Sequence, residues 1–340
     1  MHRSLIQTAL FCVLAGLALA GCQPASPPPG DSAAGPDTAA ATTIRPSADD
    51  GNTATSPAPR QPRLAVFDLG SLDIIQALGG HAAIVPDGSG PANLQAMTAA
   101  AEVRAGSLFE PDAAVLAEHQ PDLIILGRRS AGQLQTLSAI APTINLATRP
   151  DHFIQDVIAN TRRLGELLQV PERAEALIDP LQQSLDQLHA LSAGQTGLIL
   201  FTVGGGASVQ APGARHGMFH EVSGLSPVIS AIKAGSDERA RPEPGSPEAL
   251  ALRQDNRERL TQALAREPDW LIVLDRTGAT GDQATGMQVL AQIPELAGAQ
   301  AWQAGRVIRV DAAAWYLATG GIQGLQHTLD DMIQALRQAQ

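Results

Sequence analysis

Short runs of consecutive apolar residues alternate along this chain with stretches whose apolar positions recur every three or four residues. The runs are Leu64–Phe67, Leu123–Leu126, Gly197–Phe201, Leu271–Leu274 and Val307–Val310. Helical spacing lies between them, over Asp112–His119, Asp151–Leu168, Glu258–Arg266 and Ile322–Leu336. A strand that is apolar on both faces needs cover on both faces, the pattern of a parallel sheet flanked by helices. The chain therefore predicts an α/β fold of two lobes, 63–170 and 194–340, each a doubly wound parallel sheet. A single long helix over 171–193 is predicted to join them, with the ligand cleft between the lobes. Pro171 suits its start, Leu177, Leu181, Leu185 and Leu188 recur at helical spacing, and Pro180 is expected to bend it. About twenty residues at 1.5 Å rise reach roughly 30 Å, enough for one stiff crossover.

One unit occurs twice. Leu116-Ala-Glu-His-Gln-Pro-Asp-Leu-Ile-Ile-Leu-Gly-Arg-Arg129 resembles Leu264-Ala-Arg-Glu-Pro-Asp-Trp-Leu-Ile-Val-Leu-Asp-Arg276. In both, a helix ends, Pro-Asp turns the chain, a buried strand follows, and arginine appears as the strand exits. The offset of roughly 150 residues fits two similar lobes rather than a solenoid. Aligned on the proline, Arg129 rather than Arg128 matches Arg276.

The first residues are not fold. His2-Arg3 precedes a mostly apolar run, Leu5–Leu19, too short to span a membrane comfortably, which ends in Leu19-Ala-Gly-Cys22. This arrangement resembles the bacterial lipoprotein signal. It implies a signal peptide over 1–21, cleavage before Cys22 and lipidation of the Cys22 thiol. The only other cysteine, Cys12, lies inside the leader, so the mature chain is expected to hold no disulfide and no thiolate metal site. From Cys22 to Pro62 the residues are mainly Pro, Ala, Ser, Thr, Gly and Asp, too poor in apolar bulk to offset chain entropy. They predict a disordered tether. The net charge of −11 argues against nucleic acid or an anionic membrane face as the partner. Arginines that recur at strand ends in so acidic a chain point instead to a local cationic pocket.

Two further places offer chemistry. Tyr316, the only tyrosine, follows the last strand in Asp311-Ala-Ala-Ala-Trp-Tyr-Leu-Ala-Thr-Gly-Gly321, where open α/β sheets place ligands. Its oxygen is a hard donor suited to a hard cation such as ferric iron. In Pro212-Gly-Ala-Arg-His-Gly-Met-Phe-His220, a predicted helix carries Arg215, His216 and His220, with the histidines at i, i+4 on one face. Zinc would require a third protein ligand, and the other histidines are scattered. Neither Gly-x-Ser-x-Gly nor His-Glu-x-x-His is present, so the chain does not read as an enzyme.

Five segments in order, Phe67–Asp73, Pro121–Ser130 with Ile140–Thr143, Gly213–Gly224, Val273–Arg276 and Trp315–Gly321, resemble the periplasmic ferric-catecholate siderophore-binding lipoproteins. These are helix-hinged substrate-binding proteins of ABC importers, and the resemblance covers Arg63 to Arg337. It implies that Arg128, Arg215 and Arg276 line the cleft and that His220 and Tyr316 approach the iron. Arg129 is an added candidate. His216 stands where the family usually carries an aromatic or apolar residue, so either histidine could be the donor. A ferric catecholate is anionic, and arginine forks match paired oxygens. A two-catechol ligand leaves two ferric positions open, which imidazole and phenolate could fill.

The implied function is capture of a ferric siderophore in the periplasm and delivery to an inner-membrane ABC permease. The protein is expected to be a monomer anchored through Cys22, with no intrinsic cofactor and iron arriving as the siderophore complex. Haem or a corrinoid is the alternative cargo. Residues 234–256, charged and Pro-rich, replace a shorter loop of the family and are expected to form either a flap over the ligand or a surface loop.

Overall fold

β1 (Leu64–Phe67) is buried throughout and lies at the centre of the first sheet. Around it run β2 (Ile84–Val85), β3 (Val103–Arg104), β4 (Leu123–Leu126) and β5 (Thr143–Asn145), in the order β3-β2-β1-β4-β5 and all parallel. The second sheet contains β6 (Thr196–Val203), β7 (Gly206–Gln210), β8 (Ser226–Pro227), β9 (Trp270–Asp275) and β10 (Val307–Arg309). Its order is β10-β9-β6-β7, with β8 pairing the start of β6. The computed structural model describes residues 61–88, 90–203, 206–233, 242–279, 288 and 290–339. The leader, Cys22 and the tether as far as residue 60 lie outside the described residues, as do 234–241 of the predicted insertion.

Seven helices matter for the site: α1 (Leu69–Ala77), α2 (Ala113–His119), α3 (Phe153–Leu167), α4 (Pro171–Ser192), α5 (Phe219–Ser223), α6 (Pro247–Leu264) and α7 (Ile322–Gln338). Alternate residues of each strand serve different cores. Leu64 and Val66 of β1, with Ile272 and Leu274 of β9, join one large cluster with α1, α3, α4 and α7. Ala65 and Phe67 join a smaller cluster on the outer face of the first sheet, and Leu271 and Val273 another on the second. This two-sided cover is why the strands are apolar without alternation.

The second sheet departs from the expected all-parallel pattern at β7, which runs antiparallel to β6. Only two residues separate these strands, far too few for the crossover a parallel pair requires. α4 buries Ala174, Ile178, Leu181, Leu185 and Leu188, so Ile178 takes the inner position expected of Leu177, which is only partly covered. Pro180 lies inside this helix on its exposed side, where a missing backbone donor costs least. Ser246 accepts from the Ala249 amide at 3.1 Å and Pro247 occupies the first turn of α6, so 247–256 is helix rather than loop.

The lobes also meet through α7. Asp73 of α1 accepts from the Gln323 amide at 2.8 Å, serving the open N-terminus of α7 across the lobe boundary. Gln323 Nε2 returns a bond to the Asp73 carbonyl at 3.1 Å, and Asn93 Nδ2 donates to the other carboxylate oxygen at 3.1 Å. A side chain on Gly321 would meet the Asp73 carboxyl at 2.7 Å, so glycine permits the approach. Burial, opposed by these bonds, pushes the Asp73 carboxyl up to about 6. Among the described residues no helix is long and apolar enough to cross a membrane.

Candidate ligand-binding site

The site begins at the C-terminal ends of β1 and β4. Asp68 follows β1 and caps α1 by accepting from the Ser71 amide at 2.9 Å and hydroxyl at 2.7 Å. Gly127 leaves β4 directly against the Asp68 carboxylate, where any Cβ would collide. Ser130 Oγ accepts from the Gly127 amide at 3.1 Å and donates to the Phe67 carbonyl at 3.2 Å, fixing the turn between. Arg128 and Arg129 project from it, Arg128 exposed and Arg129 half-buried. Burial holds the Asp68 carboxyl above its ordinary value, against the lowering pull of the Ser71 bonds and of Arg129.

Tyr316 is placed by an unusual turn after β10. Asp311 accepts from the Ala313 amide at 2.8 Å and the Ala314 amide at 3.1 Å, then the chain takes a π-helical turn over Ala313–Leu317. The turn divides two neighbouring rings. Trp315 is buried, 4.3 Å from Phe219 and 5.3 Å from Phe153 between ring centroids, and donates its indole N–H to Thr328 Oγ1 at 2.6 Å. Tyr316 stays half-exposed, anchored by its neighbour.

Three guanidinium groups surround the Tyr316 ring: Arg276 at 5.3 Å, Arg129 at 5.5 Å and Arg215 at 5.9 Å from its centroid. Arg129 and Arg276, the equivalent residues of the internal repeat, thus come from opposite lobes to one ring. Arg129 Nη1 also donates to the Leu317 carbonyl at 2.9 Å and Nη2 to the Tyr316 carbonyl. Burial first, and then the neighbouring Arg215 charge, lower the Arg129 guanidinium from its ordinary value. Arg128, Arg129, Arg215 and Asp68 line one cavity, along with Thr148, Thr319 and Phe153.

The two histidines separate, contrary to the shared helical face expected from their spacing. Residues 212–217 form turns and α5 starts only at Phe219. Three-residue bonds run through this stretch, from the Gly217 amide to the Ala214 carbonyl at 2.8 Å and from the His220 amide to the Gly217 carbonyl at 3.1 Å, so 216 and 220 do not share an α-helical face. His216 stacks on Phe201 at 4.7 Å, Phe201 lies 6.2 Å from Tyr316, and His216 lines the arginine cavity. Burial, reinforced by Arg215, Arg128 and Arg129, pushes His216 down to about 3, so its imidazole is neutral at ordinary pH. His220 instead lines a second cavity with Asp151, Pro212 and Glu221, and its Nε2 meets the Gln210 carbonyl at 3.1 Å. Burial lowers His220 as well, with that bond opposing.

Chemically, the first cavity is rich in guanidinium donors, with one carboxyl, Asp68, in its wall. Several arginines converge there in an acidic chain, and a neutral imidazole and a phenol stand among them. Among the described residues no three His, Cys, Asp or Glu side chains group as a metal cage. Sequence reasoning missed Phe201 as the ring between His216 and Tyr316, and Asp68 as the wall behind Arg129. Neither carries a local signal, because Phe201 reads as one more buried strand residue and Asp68 as an ordinary helix cap.

A family model described as periplasmic binding protein matches residues 64–314. The petrobactin-binding protein YclQ of Bacillus subtilis is 27% identical over 283 residues, spanning 82% of this chain and 84% of its own. The ferric-anguibactin-binding protein FatB of Vibrio anguillarum is 25% identical over 283 residues, covering 81% and 82%. Among solved structures, a TroA-like periplasmic binding protein from Xylanimonas cellulosilytica is 33% identical. It superimposes with a TM-score of 0.67 over 82% of this chain and 90% of its own.

Proposed function

The chain belongs to the periplasmic binding protein family, and on that premise we propose that it captures a ferric catecholate-type siderophore and hands it to an inner-membrane ABC permease. It acts as a carrier, and no bond of the cargo is broken. The observation that carries this reading is the ring of arginines about Tyr316. Three guanidiniums lie within 5.3–5.9 Å of one phenol ring, and an anionic chelate entering among them gains charge-assisted bonds from their forks to its oxygens. The names of two relatives, one for petrobactin and one for ferric anguibactin, support an iron-chelate cargo.

In this reading Arg128, Arg129, Arg215 and Arg276 bind the chelate oxygens, and Tyr316 completes the ferric shell. His216 is the histidine assigned beside it. What supports His216 over His220 is its place in the arginine cavity, whereas His220 lines a separate one. The cleft is largely preformed, since α4 and α7 pack within one core shared by both lobes. Cys22 carries the lipid anchor, residues 23–62 the tether, and the receptor works as a monomer.

Titration with a ferric bis-catecholate, followed by visible absorbance, tests the proposal. A change in the charge-transfer band is expected, and it should be lost in Tyr316→Phe. An unchanged spectrum and affinity in that variant would remove the coordination claim. Absence of any response to ferric chelates, with a Soret shift on adding haem, would replace the cargo.

A further inference from the structure

Phe109 is the most exposed large apolar side chain among the described residues, at 61%, in a chain with only 3% aromatic residues. Its exposure is built rather than incidental. Gly106 is left-handed at φ 75° and bridges to Pro111, and a Cβ there would lie 2.5 Å from the Glu110 carbonyl. Inside this closure the Ser107 amide donates to the Glu110 carbonyl at 3.0 Å. Ser107 Oγ accepts from the amides of Phe109 at 3.2 Å and Glu110 at 3.0 Å. The turn is therefore stiff, and it holds the ring toward solvent where folding gains nothing from it. The Phe109 ring neighbours Arg129, a residue of the arginine cavity, whose Cζ lies 6.0 Å from the centroid. Arg129 thus stands between two rings, Phe109 and Tyr316, while two of its five N–H groups are tied to the Leu317 and Tyr316 carbonyls.

We infer that Phe109 is an aromatic wall of the ligand site, packing against an aryl ring of the bound chelate and so selecting aryl-bearing siderophores. The inference rests on the reading of the cleft as a ferric-siderophore site, and it adds a determinant of substrate class. Arginine fixes oxygen and charge but is indifferent to what carries them. An exposed phenyl on a rigid turn distinguishes a flat aromatic chelator from an aliphatic one, because only the former offers a ring to stack.

Calorimetric titration of the mature protein with a ferric bis-catecholate tests it in Phe109→Ala, Phe109→Leu and Phe109→Trp, with Arg129→Ala as reference. The alanine and leucine variants should bind about tenfold more weakly, while tryptophan stays within about threefold of the unaltered protein. Their melting temperatures should not change, since the ring is exposed. Binding by the alanine and leucine variants equal to the unaltered protein, with Arg129→Ala impaired, overturns the aromatic wall and leaves the receptor reading intact. A tryptophan variant as weak as alanine also overturns it. An unaltered protein that binds no ferric bis-catecholate overturns both.

Discussion

Arg129 and Tyr316, 187 residues apart, are joined twice: the guanidinium donates to the Tyr316 carbonyl and lies 5.5 Å from the centre of its ring. One arginine from the first lobe therefore fixes the backbone that presents the only phenol of the second.

Replacing Arg129 by alanine should for that reason lower both stability and affinity. Two bonds from a charged donor to backbone carbonyls are lost, a cost of about 1–3 kcal/mol. Arg128→Ala, at an exposed position, should weaken ferric-chelate binding with the melting temperature kept. Parallel melting curves and titrations of the two variants check this, and equal melting temperatures would refute the tie between the lobes.

The histidines should part in the same way. His216→Gln is expected to alter the charge-transfer band of a bound ferric bis-catecholate, while His220→Gln leaves the band and costs about 1 kcal/mol through its bond to the Gln210 carbonyl. The reverse pattern in visible spectra would reassign the iron donor to His220.

His216 also carries a pH signature. Its value of about 3 lies below the ordinary 6.5, so between these pH values the folded state binds fewer protons than the unfolded chain. Its contribution is complete above pH 6.5 and is lost as pH falls toward 3. Relative to His216→Phe, the unaltered protein should lose stability from pH 7 to pH 4 in urea unfolding, and a constant difference would count against a buried neutral ring.

Asp73 has the opposite sign. Its carboxyl rises from 3.8 to about 6, so the folded state holds the extra proton and the contribution fades as pH rises through 6. Measured against Asp73→Asn, the unaltered protein should become less stable by up to ~3 kcal/mol between pH 4 and pH 7. The amide keeps an acceptor for the Gln323 N–H, so the variant should fold. A pH-independent difference would mean that burial does not dominate at this carboxyl.

Much of the architecture was legible because buried parallel strands write themselves as unbroken apolar runs. β1, β4, β6, β9 and β10 fall on the five runs. β7 did not, since Gly-Ala-Ser-Val-Gln is short, partly exposed and without strong β propensity. The start of α6 was missed although Ser246-Pro247 marks it, because the charged run beyond it reads as loop. At the site, arginine after a strand was visible twice through the internal repeat. The histidine spacing misled, because i, i+4 places side chains together only inside an α-helix, and residues 212–217 form turns before α5 begins.

The sequence by itself determined the central strands, the joining helix and the strand-end cations, since period and adjacency are local properties of a chain. Tertiary structure alone decided that His216 sides with Tyr316, that Arg129 lies between Phe109 and Tyr316, and that Asp73 caps a helix 250 residues away. The reason is physical. Such pairings are selected by how two covered sheets and the helices between them close on one core, and no local period records which distant side chains that closure will bring together.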